Sequence, residues 1–400
     1  MAGLFRMIPE ANLVHLRNYN FHSVAPTPLD RLLSRIWWTP IADALPRWLS
    51  PNVITLMGAC CMFAINYCLF TYIHKLDYYN APDWVPLFIA LMLLLYLTFD
   101  GIDGKQARRL GVSSPLGQLM DHGVDALVSV FYVYMCFTLF PGGFNMTVML
   151  LLAVAPLHVL GTVWRESEFY TFSSTSGVVG VTETNLMTML LQLLNYFCDA
   201  KDFNRVLYKV PRKMKYTLLG KMTPGYIDVF MLIQFAMLFM AYVEGLWGVF
   251  GILKDSRKRL GYLWFITSAA LQTHLAAYFA YTVPADCKVL ACLFASTVGG
   301  IICVTNIVRL ICKGKLRRFH CELLPYHLLM LYFFGVPFLK SHRYDVRKLV
   351  LPHKTFRQAL LGVTVYGFCY TFFVFAKTSH EILTYLRIPF FTVPSKPGRL

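Results

Sequence analysis

The chain alternates between long apolar runs and short polar segments that are mostly basic. Runs such as Val85–Phe99, Met146–Val163 and Phe356–Ala376 carry almost no charge and are rich in Leu, Phe and Val. Crossing a hydrocarbon core of about 30 Å takes about 20 helical residues. On that measure the pattern predicts about ten transmembrane helices. They fall near 53–73, 84–104, 115–140, 145–165, 184–198, 224–250, 261–283, 287–311, 323–339 and 357–378. The fifth is the shortest. Ahead of them, Leu32, Leu33, Ile36, Trp37, Ile41, Leu45 and Trp48 recur at helical spacing between Leu29 and Leu49, with Arg31, Arg35 and Arg47 among them. Apolar and aromatic residues on one face with Arg beside them predict an amphipathic helix lying in the membrane interface, with an ordinary packed helix as the alternative.

Composition agrees with the pattern. The 400 residues are 57% hydrophobic and only 14% charged, against about 25% charged in soluble domains. This excludes a cytosolic globule, a disordered chain and a disulfide-stapled module. The formal charge of +16 comes from 37 Lys and Arg against 21 Asp and Glu. These bases lie between the spans, as in Lys254–Arg259 and Lys313–Arg318, so the excess reads as topology and lipid-headgroup attraction, and no nucleic-acid partner is expected. Basic loops follow the second, sixth and eighth spans, which predicts a cytosolic N-terminus, second loop and C-terminus. Segments 199–222 and 340–357, with seven and six Lys and Arg, run against that assignment. The eleven cysteines show no CxxC spacing and sit mostly in apolar runs. They read as small hydrophobes, pointing neither to disulfides nor to zinc.

Against this background one acidic cluster stands out. Asp100 and Asp103 are three apart at the end of the second span and share a helical face, which Ala107 continues. Gly117, Asp121 and Asp125 follow at spacings of four on the third span, which Ser113 or Ser114 and Pro115 open. If the two helices pair as a hairpin, four carboxylates converge, with a hollow left by Gly104, Ala107 and Gly117. Close carboxylates cannot all stay ionised without a cation, and ionisable groups in a membrane are functional candidates. Oxygen ligands without Cys or His point to Mg²⁺ or Mn²⁺, and two such ions suit a pyrophosphate. Lys105, Arg108 and Arg109 add positive charge alongside; membrane anchoring is the alternative for Lys105 and Arg109.

The motif Asp100-x-x-Asp103-Gly104-x-x-Ala107-Arg108, eight residues, then Gly117-x-x-x-Asp121-x-x-x-Asp125 resembles the signature of the CDP-alcohol phosphotransferase family. Asp103–Arg109, Pro115–Gly117, Asp121–Gly123 and Pro51–Gly58 are similar to the eukaryotic choline and ethanolamine phosphotransferases. Val178–Glu183 is so more loosely. The resemblance is convincing over roughly 50–130. It implies transfer of phosphoethanolamine or phosphocholine from CDP-ethanolamine or CDP-choline to diacylglycerol, releasing CMP. It further implies that Asp100, Asp103, Asp121 and Asp125 hold Mg²⁺ or Mn²⁺, with Asp125 also taking the acceptor's proton. Asn52, Gly104, Ala107, Arg108 and Gly117 would line the nucleotide pocket. The implied protein is a homodimer of the endoplasmic reticulum or Golgi membrane, with its active site facing the cytosol.

The expected organisation is a cytosolic segment 1–50 with the interfacial helix, a transmembrane domain 51–380 whose catalytic core is about 51–200, and a tail 381–400. A relative using another alcohol or acceptor is the nearest alternative; such relatives usually have fewer spans. An ion-coupled transporter is a further one, though no internal repeat is evident. Trp164–Tyr170 resembles a family element with displaced spacing, so Glu168 and Tyr170 face a head group, or Arg165 and Glu166 form an interfacial ion pair. His122 is read either as a hydrogen-bond partner of the carboxylates or phosphate, or as packing. His158 and His274 read as satisfied core residues.

Overall fold

A computed structural model describes residues 6–17, 26–72, 81–138, 145–170, 180–197, 208–209, 226–227, 229–342 and 349–393. Each predicted span is a helix. After α1 (Glu10–Arg17), α2 (Pro28–Leu33) and α3 (Thr39–Ala44) come α4 (Pro51–Tyr72), α5 (Trp84–Leu110), α6 (Pro115–Thr138), α7 (Met146–Phe169) and α8 (Val181–Phe197). These are followed by α9 (Val229–Asp255), α10 (Arg259–Thr282), α11 (Lys288–Ile311), α12 (Leu324–Ser341) and α13 (His353–Leu386). Among the described residues, seven helical stretches are long and apolar enough to cross a membrane; they lie in α4, α5, α7, α9, α11, α12 and α13. In such a setting helices are favoured because they satisfy their own backbone polar groups. The weak fifth span is the 17-residue α8, which buries Asn185, Thr188, Gln192 and Asn195 along one stripe. A short antiparallel pairing, Tyr208–Lys209 with Tyr226–Ile227, precedes α9. Most of the basic segment 199–222 lies outside the described residues.

Helix α11 is the centre of the bundle. Its span is 83% buried, and α6, α7, α10 and α13 pack around it. Close approach depends on glycine: a Cβ on Gly299 would sit 2.5 Å from the Pro156 ring of α7. The α5–α6 hairpin departs from expectation. These helices touch little; α4 lies against both of them, and α8 packs on α5. The hairpin is thus a wedge opened by α4.

The interfacial helix is also modified. It runs from Pro28 to Ala44 with a π-helical turn at Ser34–Trp38, and stops at Ala44 rather than continuing towards Leu49. Thr27 and Asp30 form a reciprocal capping box at its start. π-Turns bring extra residues onto one side of a helix. Here Trp37 and Trp38 both reach α5. The Trp37 indole donates to the Thr98 hydroxyl at 3.0 Å. Trp38 lies on Gly101, where a Cβ would come within 2.3 Å of its ring.

Candidate active site

The turn between α5 and α6 sets the site. Gly111 takes a left-handed conformation (φ 68°) and its N–H reaches the carbonyls of Ala107 and Arg108, the arrangement that ends a helix cheaply only at glycine. Ser114 then caps the next helix, its hydroxyl accepting from the Gly117 N–H at 3.2 Å, with Pro115 in the first turn. Two helix ends therefore face each other across a short connection.

One oxygen from each of Asp100, Asp121 and Asp125 lies within 4.8 Å of the others. Asp103 stands outside this group. It is buried, and the Thr55 hydroxyl of α4 donates to its Oδ2. Of the four carboxylates expected to converge, three share this tight cluster, and the fourth, Asp103, is buried beside them with α4 holding one of its oxygens. The Tyr96 hydroxyl, one turn before Asp100, donates to Asp125 Oδ1 at 2.6 Å and bridges α5 to α6. Tyr96 carried no signal in the sequence, where it is one aromatic among many in an apolar run.

Around the carboxylates the expected residues divide. Gly104 lies beneath the Arg108 guanidinium, whose nitrogen would be 3.3 Å from an added Cβ. Arg108 is exposed, and Gly104, Ala107 and Gly117 are half-buried nearby along the two helices. Asn52 instead donates to the Phe390 carbonyl at 3.1 Å, as does Ser50. The chain after α13 thereby closes over the start of α4. Lys105 donates to the Ser34 hydroxyl. Arg109 donates to the Ala42 and Leu45 carbonyls, both at 2.8 Å, and Gln106 to those of Pro46 and Leu49 at 3.1 and 3.2 Å. Two of the three bases thus secure the N-terminal segment; Arg108 alone is presented outward.

The Trp164–Tyr170 stretch also resolves into separate tasks. Glu168 accepts from the Trp164 indole (2.9 Å), the Ser256 hydroxyl (2.6 Å) and the backbone N–H groups of Arg257 and Lys258 (3.0 and 3.3 Å), tying α7 to the turn before α10. Tyr170 is an exposed left-handed cap at the end of α7. Neither faces the carboxylates through these contacts. Glu166 accepts from the Gln118 amide on the first turn of α6, and its second oxygen is buried without a hydrogen bond. His122 Nε2 is 3.9 Å from Asp121 Oδ2. His158 meets the Ala241 carbonyl, while His274 meets the Ala270 carbonyl and the Tyr242 hydroxyl. Both are satisfied within the bundle.

A bundle of long apolar helices thus carries three convergent carboxylates at a helix–turn–helix. Residues 48–207 match the family described as CDP-alcohol phosphatidyltransferase. Over 162 residues the chain is 35% identical to mouse (Mus musculus) ethanolaminephosphotransferase 1, covering 38% of this chain and 40% of the relative. It is 43% identical over 117 residues to choline/ethanolaminephosphotransferase 1 of Arabidopsis thaliana, covering 29% and 30%. With the Saccharomyces cerevisiae protein of that name it shares 30% identity over 164 residues, covering 41% and 42%. The matched stretch spans less than half the length of each of these relatives.

Proposed function

We propose that the protein transfers phosphoethanolamine, phosphocholine or both from the CDP-alcohol to the free hydroxyl of diacylglycerol, releasing CMP. The observation that carries this reading is the convergence of Asp100, Asp121 and Asp125 within 4.8 Å. An all-oxygen donor set of three acids at such separations calls for hard divalent cations, so Mg²⁺ or Mn²⁺ fits the residues present. When bound, these ions neutralise charge on the pyrophosphate and on the departing CMP.

The chain's own residues do the rest. Asp100, Asp121 and Asp125 would hold the ions, two of them in this reading, and Asp103 would support them from its Thr55-bound position. The acceptor oxygen forms a bond to the phosphorus bearing the alcohol as the bond to the CMP oxygen breaks. Asp125 takes the hydroxyl proton; Tyr96 occupies its Oδ1, leaving the second oxygen for that proton. Arg108 supplies a cationic fork to the nucleotide phosphates above Gly104. Ala107 and Gly117 leave room for the nucleotide, and Asn52 closes the pocket with the Phe390 carbonyl. The same reading places the site at the cytosolic face of an endoplasmic reticulum or Golgi membrane, in a homodimer, with diacylglycerol entering laterally from lipid.

The test is CMP release by the purified protein given both CDP-alcohols, diacylglycerol and Mg²⁺ or Mn²⁺. Asp121→Asn and Asp125→Asn should abolish release while inserting and purifying normally. Turnover near that of the unaltered protein in either variant would refute the mechanism.

A further inference from the structure

A second constellation of metal-ligating side chains lies far from the three carboxylates. Helix α13 is 34 residues long, or about 50 Å at 1.5 Å per residue. Beyond its C-terminal end, the Phe390 carbonyl meets Ser50 and Asn52 beside the active site; its first residue, His353, is at the opposite end of the bundle. There it meets Asp286 and Cys287, in the single turn of 3₁₀ helix that opens α11.

Three different donor atoms point at one another. His353 Nε2 is 3.3 Å from Asp286 Oδ2. The Cys287 sulfur is 3.9 Å from the same carboxylate oxygen and 4.0 Å from the same ring nitrogen. A triangle with these sides has its centre about 2.2 Å from every corner, which is the bond length zinc takes to nitrogen, oxygen and sulfur ligands.

Two ordinary readings fit less well. In a nucleophile–histidine–acid relay the two ring nitrogens divide the work, one facing the nucleophile and the other the acid. Here Nε2 faces both. A plain surface ion pair between His353 and Asp286 gives no reason for a fully buried thiol to complete the triangle. Cys287 and His353 each sit at the start of a helix, so the two ligands are carried on the rigid ends of α11 and α13. Lys288, the adjacent cation, turns away to the Tyr281 carbonyl and ring.

We propose that Asp286, Cys287 and His353 form a transition-metal site, with zinc as the fitting ion, which clasps the start of α11 to the start of α13. Asp286 and His353 are about half exposed, so an ion displaced slightly from the plane of the three donors would take its fourth, tetrahedral ligand from solvent. The sequence offered no CxxC or clustered spacing because the histidine arrives from 66 residues away.

Cobalt reports the site directly, since a thiolate bound to Co²⁺ gives a near-ultraviolet charge-transfer band that an all-oxygen cluster cannot give. Full-length protein stripped with chelator should develop this band with one Co²⁺ per chain, and Zn²⁺ should bleach it. His353→Gln and Cys287→Ala should abolish the band and weaken Zn²⁺ binding by at least about 10- to 100-fold, the loss that removing even an outer partner causes. Cys321→Ala, at an exposed cysteine elsewhere, should retain it. Because Cys287 is buried, His353→Gln decides the matter if Cys287→Ala fails to fold. No thiolate band in the unaltered protein, or an undiminished band in His353→Gln, overturns the proposal.

Discussion

Replacing Tyr96 by Phe tests the proposed chemistry through a single oxygen. The phenol is 6% exposed and its hydroxyl lies 2.6 Å from Asp125 Oδ1, across the gap between α5 and α6. The change removes that donor and leaves the ring in place. A hydrogen bond to a charged group is worth about 1.5–3 kcal/mol, which corresponds to about 10- to 150-fold in rate. The phenol touches the carboxylate and not the nucleotide, so the loss should fall on kcat while KM for the CDP-alcohol stays within a few-fold. The assay is CMP release under saturating diacylglycerol, with a thermal unfolding scan to show that the variant remains folded. A kcat within about twofold of the unaltered protein, or a loss confined to KM, would refute the role given to Asp125 and its partner.

Other expectations follow from contacts away from the carboxylates. Glu168→Gln should lower thermal stability while leaving turnover nearly unchanged, because it weakens a junction holding four donors; a selective loss of turnover would return Glu168 to the head-group pocket. Gly367→Ala places a Cβ 1.7 Å from the Tyr326 hydroxyl and 2.9 Å from Thr297 Cβ, and should destabilise by at least about 1–3 kcal/mol in unfolding scans. His320 is held between the Thr305 hydroxyl and the Asn306 amide at 3.2 and 3.4 Å, and burial pushes its pKa down to about 4. Its stabilisation is therefore full above the unfolded value of about 6.5 and is lost as pH falls towards 4, about 3 kcal/mol in all. The unfolding midpoint should drop more across that interval than in His320→Gln; equal drops would show that the ring does not govern it.

The apolar runs located every long helix because burial of an uncharged stretch follows directly from its residues. The acidic spacing likewise led to Asp100, Asp121 and Asp125. What stayed hidden depended on contacts between distant segments. Thr55 donates to one oxygen of Asp103, yet a threonine in the first span looks like any other. The position of α4 between α5 and α6 is a packing outcome of three helices together, which no single periodicity records. Arg109 reads as a membrane anchor, and Gln106 carries no signal, until the carbonyls 57 to 67 residues away are seen to meet them. Glu168 was chosen from a displaced motif, and its partners come from the turn before α10.

Those last two side chains make the N-terminal segment and the end of α5 a single lever. The carbonyls of Ala42, Leu45, Pro46 and Leu49 have no common partner in sequence, but one guanidinium and one amide grip all four. Lifting the amphipathic segment off the bilayer would strand both grips at once, in the same two turns that carry Gly104 and Arg108. The N-terminal segment and the last turns of α5 thus stand or fall together, and a displacement of either is felt by the other.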